Sequence, residues 1–408
     1  MKVLLLTNYF PPEVGAASHL FYNLGRMLTK KGYDVTVITG FPRYNVKVLD
    51  EKYRNKFFFR ETIDGISVLR VPILPFLKRT LFVRKMEYFF LPIGLFIRGL
   101  IAEKHDVAIL YSPPVTIGLA AFLLKKIKKI PFIFNVQDIH PQALIDIGFL
   151  KNRLLIWILR FIEKLNYKNA TFVTIHSKGN KEYLAKQGVN SSKLVVVPNW
   201  VDTELIRPLP KMNNFRKKYN LGDNFVVSFA GIMGTSQDLR TVIKAAYLLR
   251  NHNKIKFFLV GDGVERPDLE KEVNKRGLNN VIFAPMQPRE KYPYVLAASD
   301  VSLVTLKKNV VTPVVPSKLL SIMASGRPVI ASLDLNGDAP KIIYKAGCGL
   351  VVEPENPEKL AKAILELYFN PKLCDEMGLR GRKYAEENFS PQSCISKYEE
   401  LFRIIIAR

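Results

Sequence analysis

The sequence predicts an α/β fold made of two doubly wound, Rossmann-like domains. Short apolar runs rich in β-branched residues alternate with longer segments of helical period along the whole chain, which is typical of parallel βαβ units. A length of 408 residues is enough for two domains, each with its own core. Prolines cluster in residues 195–210, and a polar stretch follows. We therefore expect the first domain to span 1–204 and the second to span 205–390.

Strands are predicted where an apolar run stands between turn residues. In the first domain these runs are 3–7, 35–39, 66–71, 107–111, 132–136, 172–174 and 194–197. In the second domain they are 226–230, 256–260, 281–284, 301–305, 329–331 and 349–352. Helical period predicts helices over 18–31, 115–128, 154–168 and 317–325. The closing stretch, 391–408, has helical period without a strand to accompany it, so we expect it to pack back on the first domain.

The charge balance is the unusual feature of the composition. The chain has 61 Lys and Arg against 36 Asp and Glu, a formal net charge of +25. An excess of this size predicts an anionic partner, namely nucleic acid, a membrane surface or a phosphorylated ligand. The cations are spread along the chain, and no RRM, zinc-finger or helix-turn-helix signature accompanies them. We therefore expect no nucleic-acid partner.

Cysteine use and the glycine motifs exclude several classes of protein. Three cysteines without a CxxC pair predict neither a disulfide framework nor a zinc site. Dinucleotide enzymes carry G-x-G-x-x-G directly after the first strand, whereas "NYFPPEVGAASHL" has the single Gly15 there. The G-x-G in "VGDGVER" has Arg266 where the third glycine would fall, and no Walker lysine motif is present. Hydride transfer and ATP hydrolysis are therefore not predicted.

The stretch "VVPSKLLSIMASGRPVIAS", 314–332, places a lysine at the start of a helix. Pro316 and Ser317 predict a helix start, and Gly326 predicts its end. The helix macrodipole disfavours a cation at this end, which leaves two interpretations of Lys318. Its ammonium reaches solvent, or an anion binds here and is shared by the helix and the lysine.

Six segments resemble, in order and spacing, the motifs of glycosyltransferase family 4. They are the opening stretch 8–40, "FNVQDIHPQAL", "VVVPNWVDTELIRP", "FAGIMGTSQDL", "LVGDGVE" and the 314–332 stretch. The match covers almost the whole chain. It is most similar to the branch that includes L-fucosamine-type transferases of surface-polysaccharide assembly, which also uses a Pro-Ser-Lys segment.

The resemblance implies a GT-B fold, with an interdomain cleft between the two domains and a C-terminal crossover helix. It implies retaining, hexosyltransferase-type transfer from a UDP- or GDP-sugar to a glycan or polyprenyl-linked acceptor, with no metal and no cofactor. It also implies that helix 317–325 faces the donor diphosphate, which favours the second interpretation of Lys318. The donor-binding residues carried over are Gly15, Gly231, Gly234, Gln237, Met286, Ser317, Lys318, Leu319, Leu320 and Ser321.

Two departures from the family pattern concern the donor. The Glu-x7-Glu pair of the family falls at Pro313 and Ser321, and neither residue is acidic. The basic pair after the "FAG" strand is also missing. Neutralisation of the diphosphate is therefore expected to rest on Lys318, together with Arg240 or Arg266.

The catalytic residues implied by the resemblance are Asp138, His140 and Glu13. In a front-face transfer the acceptor hydroxyl attacks as the nucleotide leaves, and the protein mainly positions groups and stabilises charge. We expect Asp138 and His140 near the acceptor hydroxyl or the sugar, with Gln137 where the family commonly has a histidine. Glu13 is a candidate on the first loop. The alternative is that Asp138 caps a helix and His140 is a plain loop residue.

Basic and apolar residues together predict peripheral attachment to an anionic membrane. The apolar run 88–97 is too short to span a bilayer. The cations that surround it, or that lie in the next helical unit, are Arg79, Arg84, Lys85, Arg98, Lys125, Lys126, Lys128 and Lys129. We expect a cytoplasmic protein at the inner face of the cell membrane, since no signal peptide is recognised. An ordinary solvated helix face is the alternative.

Two other functions stay open at the level of sequence. A nucleotide-sugar 2-epimerase shares the two-domain architecture, but it needs several acid and base groups around the sugar, and these motifs hold few carboxylates. A catalytically inactive, membrane-associated scaffold is compatible with the missing glutamates.

Overall fold

The chain forms two compact units. The computed structural model describes residues 1–13, 15–42, 46, 50–53, 56–72, 81–146, 148–310 and 314–407, with the backbone alone for 16 and 81–87. The first unit is Met1–Asn199 together with Pro391–Arg408, and the second is Trp200–Ser390. The boundary that we predicted after residue 204 thus falls inside the second unit.

The first unit is a sheet whose strands alternate with helices. Its strands are β1 (Lys2–Leu6), β2 (Asp34–Gly40), β3 (Phe59–Ile63), β4 (Ile66–Val71), β5 (Val107–Ser112), β6 (Phe132–Val136), β7 (Phe172–Ile175) and β8 (Leu194–Val196). The helices between them are α1 (Ala16–Lys30), α2 (Leu81–Ile101), α3 (Ile117–Lys128), α4 (Gln142–Asp146), α5 (Arg153–Asn169) and α6 (Lys178–Lys186). The central strands are continuous buried apolar runs because helices cover a parallel sheet.

The strand order of this sheet is β3-β4-β2-β1-β5-β6-β7-β8. Its neighbouring strands are parallel, except that β3 runs antiparallel to β4. The order reverses between β1 and β5, and in open α/β sheets ligands bind at the carboxyl ends of strands beside such a switch point. The loops after β1, β5 and β6 therefore define the place to look for function.

The second unit repeats this plan. Its strands are β9 (Phe225–Ile232), β10 (Ile255–Asp262), β11 (Val281–Ala284), β12 (Val301–Thr305), β13 (Val329–Ser332) and β14 (Gly349–Val352). Its helices are α7 (Asn214–Lys218), α8 (Leu239–Leu248), α9 (Arg266–Lys275), α10 (Tyr292–Ala297), α11 (Ser317–Ala324), α12 (Asp338–Ala346), α13 (Pro357–Tyr368) and α14 (Pro371–Phe389). The order is β11-β10-β9-β12-β13-β14, all pairs parallel, with the switch point between β9 and β12.

The glycines of "VGDGVER" have a packing role at the end of β10. Gly261 has φ +158° and lies opposite Gly231 in the register of β9 and β10. A Cβ on Gly261 would lie 1.8 Å from the Gly231 carbonyl oxygen. Glycine is required because two backbones meet here, which accounts for the G-x-G pattern without a dinucleotide.

The last helix, α15 (Pro391–Ile406), belongs to the first unit. Its Tyr398 is 1% exposed, and the Tyr398 hydroxyl accepts a 2.8 Å hydrogen bond from the side-chain amide of Asn135. Phe402 meets the Tyr33 ring edge-on at 5.7 Å. Residues at the far end of the chain thus complete the core beneath β6.

In the part of the chain that the structure describes, no helix is long and apolar enough to cross a membrane.

Candidate functional site

Lys318 lies at the start of α11, next to the carboxyl end of β9. It is the second residue of α11, and its Nζ atom lies 4.4 Å from the centroid of the Phe229 ring. The same ammonium donates a hydrogen bond to the Gln237 side-chain oxygen. Gly231 makes room for it, because a Cβ at this position would lie 2.6 Å from the Lys318 Cε atom. The predicted donor residues Gly231, Gln237 and Lys318 are therefore brought together.

The electrostatics around Lys318 are those of a cation without a counter-charge. Burial lowers its pKa to about 8 because an ammonium loses hydration in an apolar site. Among the described side chains, no carboxylate forms an ion pair with it. An anion bound at this position would compensate for the lost hydration and keep Lys318 protonated. The site is thus arranged to gain from an anionic ligand.

The other residues predicted on α11 have different surroundings. Ser317 is exposed, and the Ser321 hydroxyl donates a weak 3.4 Å hydrogen bond to the Ser317 carbonyl. The side chains of Leu319 and Leu320 are buried in the core. The Leu319 amide already donates to the Pro316 carbonyl at 3.0 Å. Pro313, the other position of the missing acidic pair, lies outside the described residues.

The two arginines considered as helpers of Lys318 are already occupied. Arg266 donates to the carbonyls of Gly261 at 2.6 Å and Ala284 at 3.1 Å, and it pairs with Glu270 at 2.7 Å. Arg240 lies 3.7 Å from two carboxylates of α9. Both arginines thus have carboxylate partners, whereas Lys318 has none among the described residues.

The remaining predicted donor residues have their own local surroundings. Met286 follows β11, is 46% exposed, and precedes Gln287, whose amide donates to the Pro285 carbonyl at 2.7 Å. Gly234 begins the short turn that carries Gln237. Gly15 precedes α1 in the first unit, with an extended φ of 175°.

Sequence reasoning missed Glu265 at the same edge. One of its oxygens lies 3.5 Å from the Lys307 ammonium. The other is buried and has no hydrogen-bond partner among the described residues. Such an oxygen accepts hydroxyl donors readily. Its position just after β10, within "LVGDGVE", was the available signal.

In the first unit, Asp138 and His140 lie on the loop that follows β6. Asp138 is exposed, and its charge helps to raise the pKa of the Tyr88 and Tyr111 hydroxyls, for which burial is the larger cause. Burial lowers the pKa of His140, against an opposing effect of Asp138. Burial therefore favours the neutral form of His140, whose ring can donate or accept a hydrogen bond. Tyr88 and Tyr111 thus lie near Asp138, and the sequence analysis did not single them out.

A buried amide network holds this loop. The Gln137 amide donates to the Asn135 side-chain oxygen at 2.8 Å, and the Asn199 amide donates to the Gln137 side-chain oxygen at 2.6 Å. The Gln137 carbonyl is 2.8 Å from a ring nitrogen of His176. Gln137 thus fixes the backbone next to Asp138.

Glu13 is buried in the loop after β1. It is 3% exposed, and its carboxylate accepts a 3.1 Å hydrogen bond from the Phe10 amide. In the same loop, the Pro11 carbonyl accepts a hydrogen bond from the fully buried Arg70, which pairs with Glu61 at 2.8 Å. This geometry makes Glu13 a loop-holding residue. Its catalytic role stays a prediction.

The cations predicted to face a membrane differ in their surroundings. Lys126 and Lys129 are exposed. Lys125 donates to the Asn169 carbonyl at 2.7 Å, and Lys128 donates to carbonyls at the end of α2. Arg98 stacks on Phe58, 5.4 Å from its ring centroid. Arg79 lies outside the described residues, as do the side chains of Arg84 and Lys85.

Comparisons with known proteins find related sequences and structures along most of the chain. A family model described as "Glycosyl transferase 4-like domain" matches residues 15–200, and "Glycosyl transferases group 1" matches residues 211–384. The "Putative colanic acid biosynthesis glycosyl transferase WcaI" of Escherichia coli K12 is 25% identical, over 98% of each chain. The "GDP-mannose-dependent alpha-(1-6)-phosphatidylinositol monomannoside mannosyltransferase" of Mycobacterium tuberculosis is 24% identical, also over 98% of each. The Anabaena protein Alr3699/HepE, solved in complex with UDP, has a TM-score of 0.76 at 17% identity and covers 99% of this chain and 100% of its own.

The fold and these matches define a glycosyltransferase with the GT-B fold. The chain belongs to the family 4 type of these enzymes, and its activity is the transfer of a glycosyl group. The predicted fold class and enzyme class are confirmed. The narrower likeness to L-fucosamine-type transferases stays a prediction.

Proposed function

We propose that the protein transfers a sugar from a UDP- or GDP-sugar to a glycan or lipid-linked acceptor, with retention of configuration, in the synthesis of a surface polysaccharide or glycoconjugate. The observation that carries this proposal is Lys318. A partly buried ammonium with a lowered pKa and no carboxylate partner among the described residues stands at the start of a helix. That combination suits a diphosphate.

The proposed chemistry assigns a separate task to each residue. The bond between the anomeric carbon and the terminal phosphate oxygen breaks, and a bond from the acceptor oxygen to the same face of that carbon forms. The acceptor proton passes to the leaving phosphate oxygen. Lys318 stabilises the negative charge that develops on the diphosphate. Asp138 and the neutral His140 orient the acceptor hydroxyl.

A lipid-linked acceptor is proposed from an apolar surface of the first unit. Helix α3 packs against both α2 and α5. Each of the three helices exposes apolar side chains, which are Phe89, Phe90, Ile93, Ile97 and Ile101 on α2, Leu123 and Ile127 on α3, and Leu154, Trp157 and Phe161 on α5. We call this set the apolar face. Aromatic and aliphatic side chains beside exposed lysines suit a membrane interface, and one relative is named for a phosphatidylinositol mannoside substrate.

Thermal-shift measurements with UDP, GDP and their sugars test the donor assignment. We expect one nucleotide series to raise Tm, and Lys318→Ala to abolish that shift. A nucleotide sugar converted to its epimer without any acceptor would favour the epimerase. Failure of every nucleotide to bind would favour an inactive relative.

A further inference from the structure

A cavity lies within the first unit, at α4, α5 and α6. It has a volume of about 430 Å³ and is lined by Ile139, Gln142, Arg160, Glu163, Lys164, Tyr167, Lys168, Tyr183, Gln187, Gly188, Val189, Asn190 and Lys193. None of the residues proposed for catalysis or donor binding is among them. We call it the α5 cavity.

The lining of the α5 cavity is strongly cationic. Four positive side chains, Arg160, Lys164, Lys168 and Lys193, face one carboxyl group, that of Glu163. Residues 160, 164 and 168 follow one another at four-residue spacing, which places them on a single side of α5. Like charges at this spacing repel each other, so the arrangement costs stability unless an anion is present.

Two of the four cations are held in position by neutral groups. The Arg160 guanidinium donates to the Gln142 side-chain oxygen at 2.7 Å. The Lys193 ammonium donates to the carbonyls of Lys168 at 2.7 Å and Ala170 at 3.0 Å. These contacts orient the charges. One further carboxylate, that of Asp146, is not in the lining but accepts a 2.7 Å hydrogen bond from the Gln142 amide. Lys164 and Lys168 line the cavity and are exposed to solvent.

Glu163 does not neutralise this set at neutral pH. Its carboxyl is buried and accepts a 2.9 Å hydrogen bond from the Tyr167 hydroxyl. Burial raises the pKa of Glu163 to about 7, although Tyr167, Arg160 and Lys164 act to lower it. The carboxyl is therefore partly protonated near pH 7, and the cavity stays positive.

We infer that the α5 cavity binds a phosphate group. The cations supply charge-assisted donors, and the amides of Gln142, Gln187 and Asn190 supply neutral ones. The phosphate belongs to a lipid headgroup or to a free phosphorylated molecule. A headgroup is favoured because α5 also exposes Trp157 and Phe161, which belong to the apolar face and lie within one turn of Arg160. The inference does not depend on the donor site of the second unit.

Calorimetric titration with inorganic phosphate tests the inference. The full chain carries Lys318→Ala in every sample, so that phosphate bound in the second unit does not contribute. We expect the added pair Lys164→Ala and Lys168→Ala to weaken binding by roughly tenfold or more, since two charge-assisted contacts are lost. The matched control is the pair Lys104→Ala and Lys186→Ala, two exposed lysines of the same unit that do not line the cavity.

Glu163→Gln tests the inference by removing a negative charge where the preceding variants remove positive ones. It removes the one carboxylate of the lining without removing a cation, so phosphate should bind as tightly as before or more tightly. The inference is overturned if the background protein does not bind millimolar phosphate. It is equally overturned if the Lys164 and Lys168 pair loses no more affinity than the control pair.

Vesicle sedimentation separates the two sources of phosphate. Phosphatidylcholine vesicles with phosphatidic acid are compared with phosphatidylcholine alone. If the Lys164 and Lys168 pair reduces pelleting with phosphatidic acid more than the control pair does, the ligand is a lipid headgroup. Equal pelleting together with a selective loss of phosphate binding identifies a free phosphorylated molecule.

Discussion

Lys318 shows how one side chain is prepared for a ligand by what surrounds it. The Phe229 ring and the Gln237 amide hold its ammonium in place, while the glycine at 231 leaves room for its stem. Neither neighbour carries a charge. In the function that we propose, a bound diphosphate would offset the cost of burying this cation.

Lys318→Ala should weaken binding of UDP or GDP by about 10- to 100-fold, because one charge-assisted contact is worth about 1.5–3 kcal/mol. Binding of the corresponding nucleoside should hardly change, since it has no phosphate. Isothermal titration of both ligands measures the difference. Lys244→Ala, an exposed lysine on α8, serves as the control. Equal affinities in mutant and wild type would remove Lys318 from the phosphate site.

The lowered pKa of Lys318 also predicts a pH dependence. In the free protein this lysine loses its proton near pH 8, whereas a bound anion keeps the Lys318 ammonium protonated. Binding must then take up a proton above pH 8, and the affinity should fall by up to about tenfold per pH unit. Phosphate ionisation does not interfere, since its second pKa is about 6. Titrations from pH 7 to 9, below the range in which uracil and guanine lose a ring proton, test this, and Lys318→Ala should give a flat profile over the same range.

Asp138→Asn should lower turnover while leaving the affinity for the donor nearly intact. The change keeps the shape of an exposed side chain but removes the charge that faces Tyr88, Tyr111 and His140. A steady-state assay gives kcat, and titration with the nucleotide gives Kd. Normal turnover in the mutant would return Asp138 to a structural role.

At the level of elements, the strands with continuous apolar runs were predictable and β3 was not. The runs of β4, β6, β11, β12 and β14 begin and end where we predicted. β3 has the mixed sequence "FRETI", since an antiparallel edge strand needs only partial burial. The overlooked signal was Asp64-Gly65, whose positive φ angles of 48° and 80° form the hairpin turn into β4.

The apolar face predicts how the protein distributes between water and lipid. The full chain should pellet with anionic vesicles at low salt and be released as salt rises, because salt screens its positive charge. Neutral vesicles should hold it poorly. Trp157→Ala with Phe161→Ala should reduce pelleting by roughly tenfold or more, since two large apolar side chains are lost. Leu379→Ala, an exposed site in the second unit, is the control. A protein that ignores anionic vesicles even at low salt would favour a soluble acceptor.

For the molecule as a whole, the architecture was predictable from the sequence, whereas some contacts of the candidate site were not. Periodicity and six ordered motifs were enough for two Rossmann-like units, because these patterns are local. The amide network of Asn135, Gln137 and Asn199 joins residues far apart in the chain. Such contacts leave no local pattern. Glu163 illustrates the same limit, since its raised pKa is set by three-dimensional burial.

Tyr398→Phe tests how much the hydrogen bond between α15 and β6 stabilises the first unit. Removing the hydroxyl leaves the buried Asn135 amide without one of its two acceptors. The free energy of unfolding should therefore fall by about 1–3 kcal/mol. Denaturant unfolding monitored in the full chain measures the change. Tyr344→Phe, an exposed tyrosine on α12, should leave stability unchanged.

The placement of α15 has a consequence for biosynthesis. The second unit is one uninterrupted stretch, Trp200–Ser390, so it has every residue of its core once that stretch has left the ribosome. The first unit begins translation earlier but lacks Tyr398 and Phe402 until the final helix emerges. A premature stop codon near residue 390 would therefore damage the unit made first and spare the unit made second. Proteases and chaperones would then meet an intact C-terminal half attached to an incomplete N-terminal one.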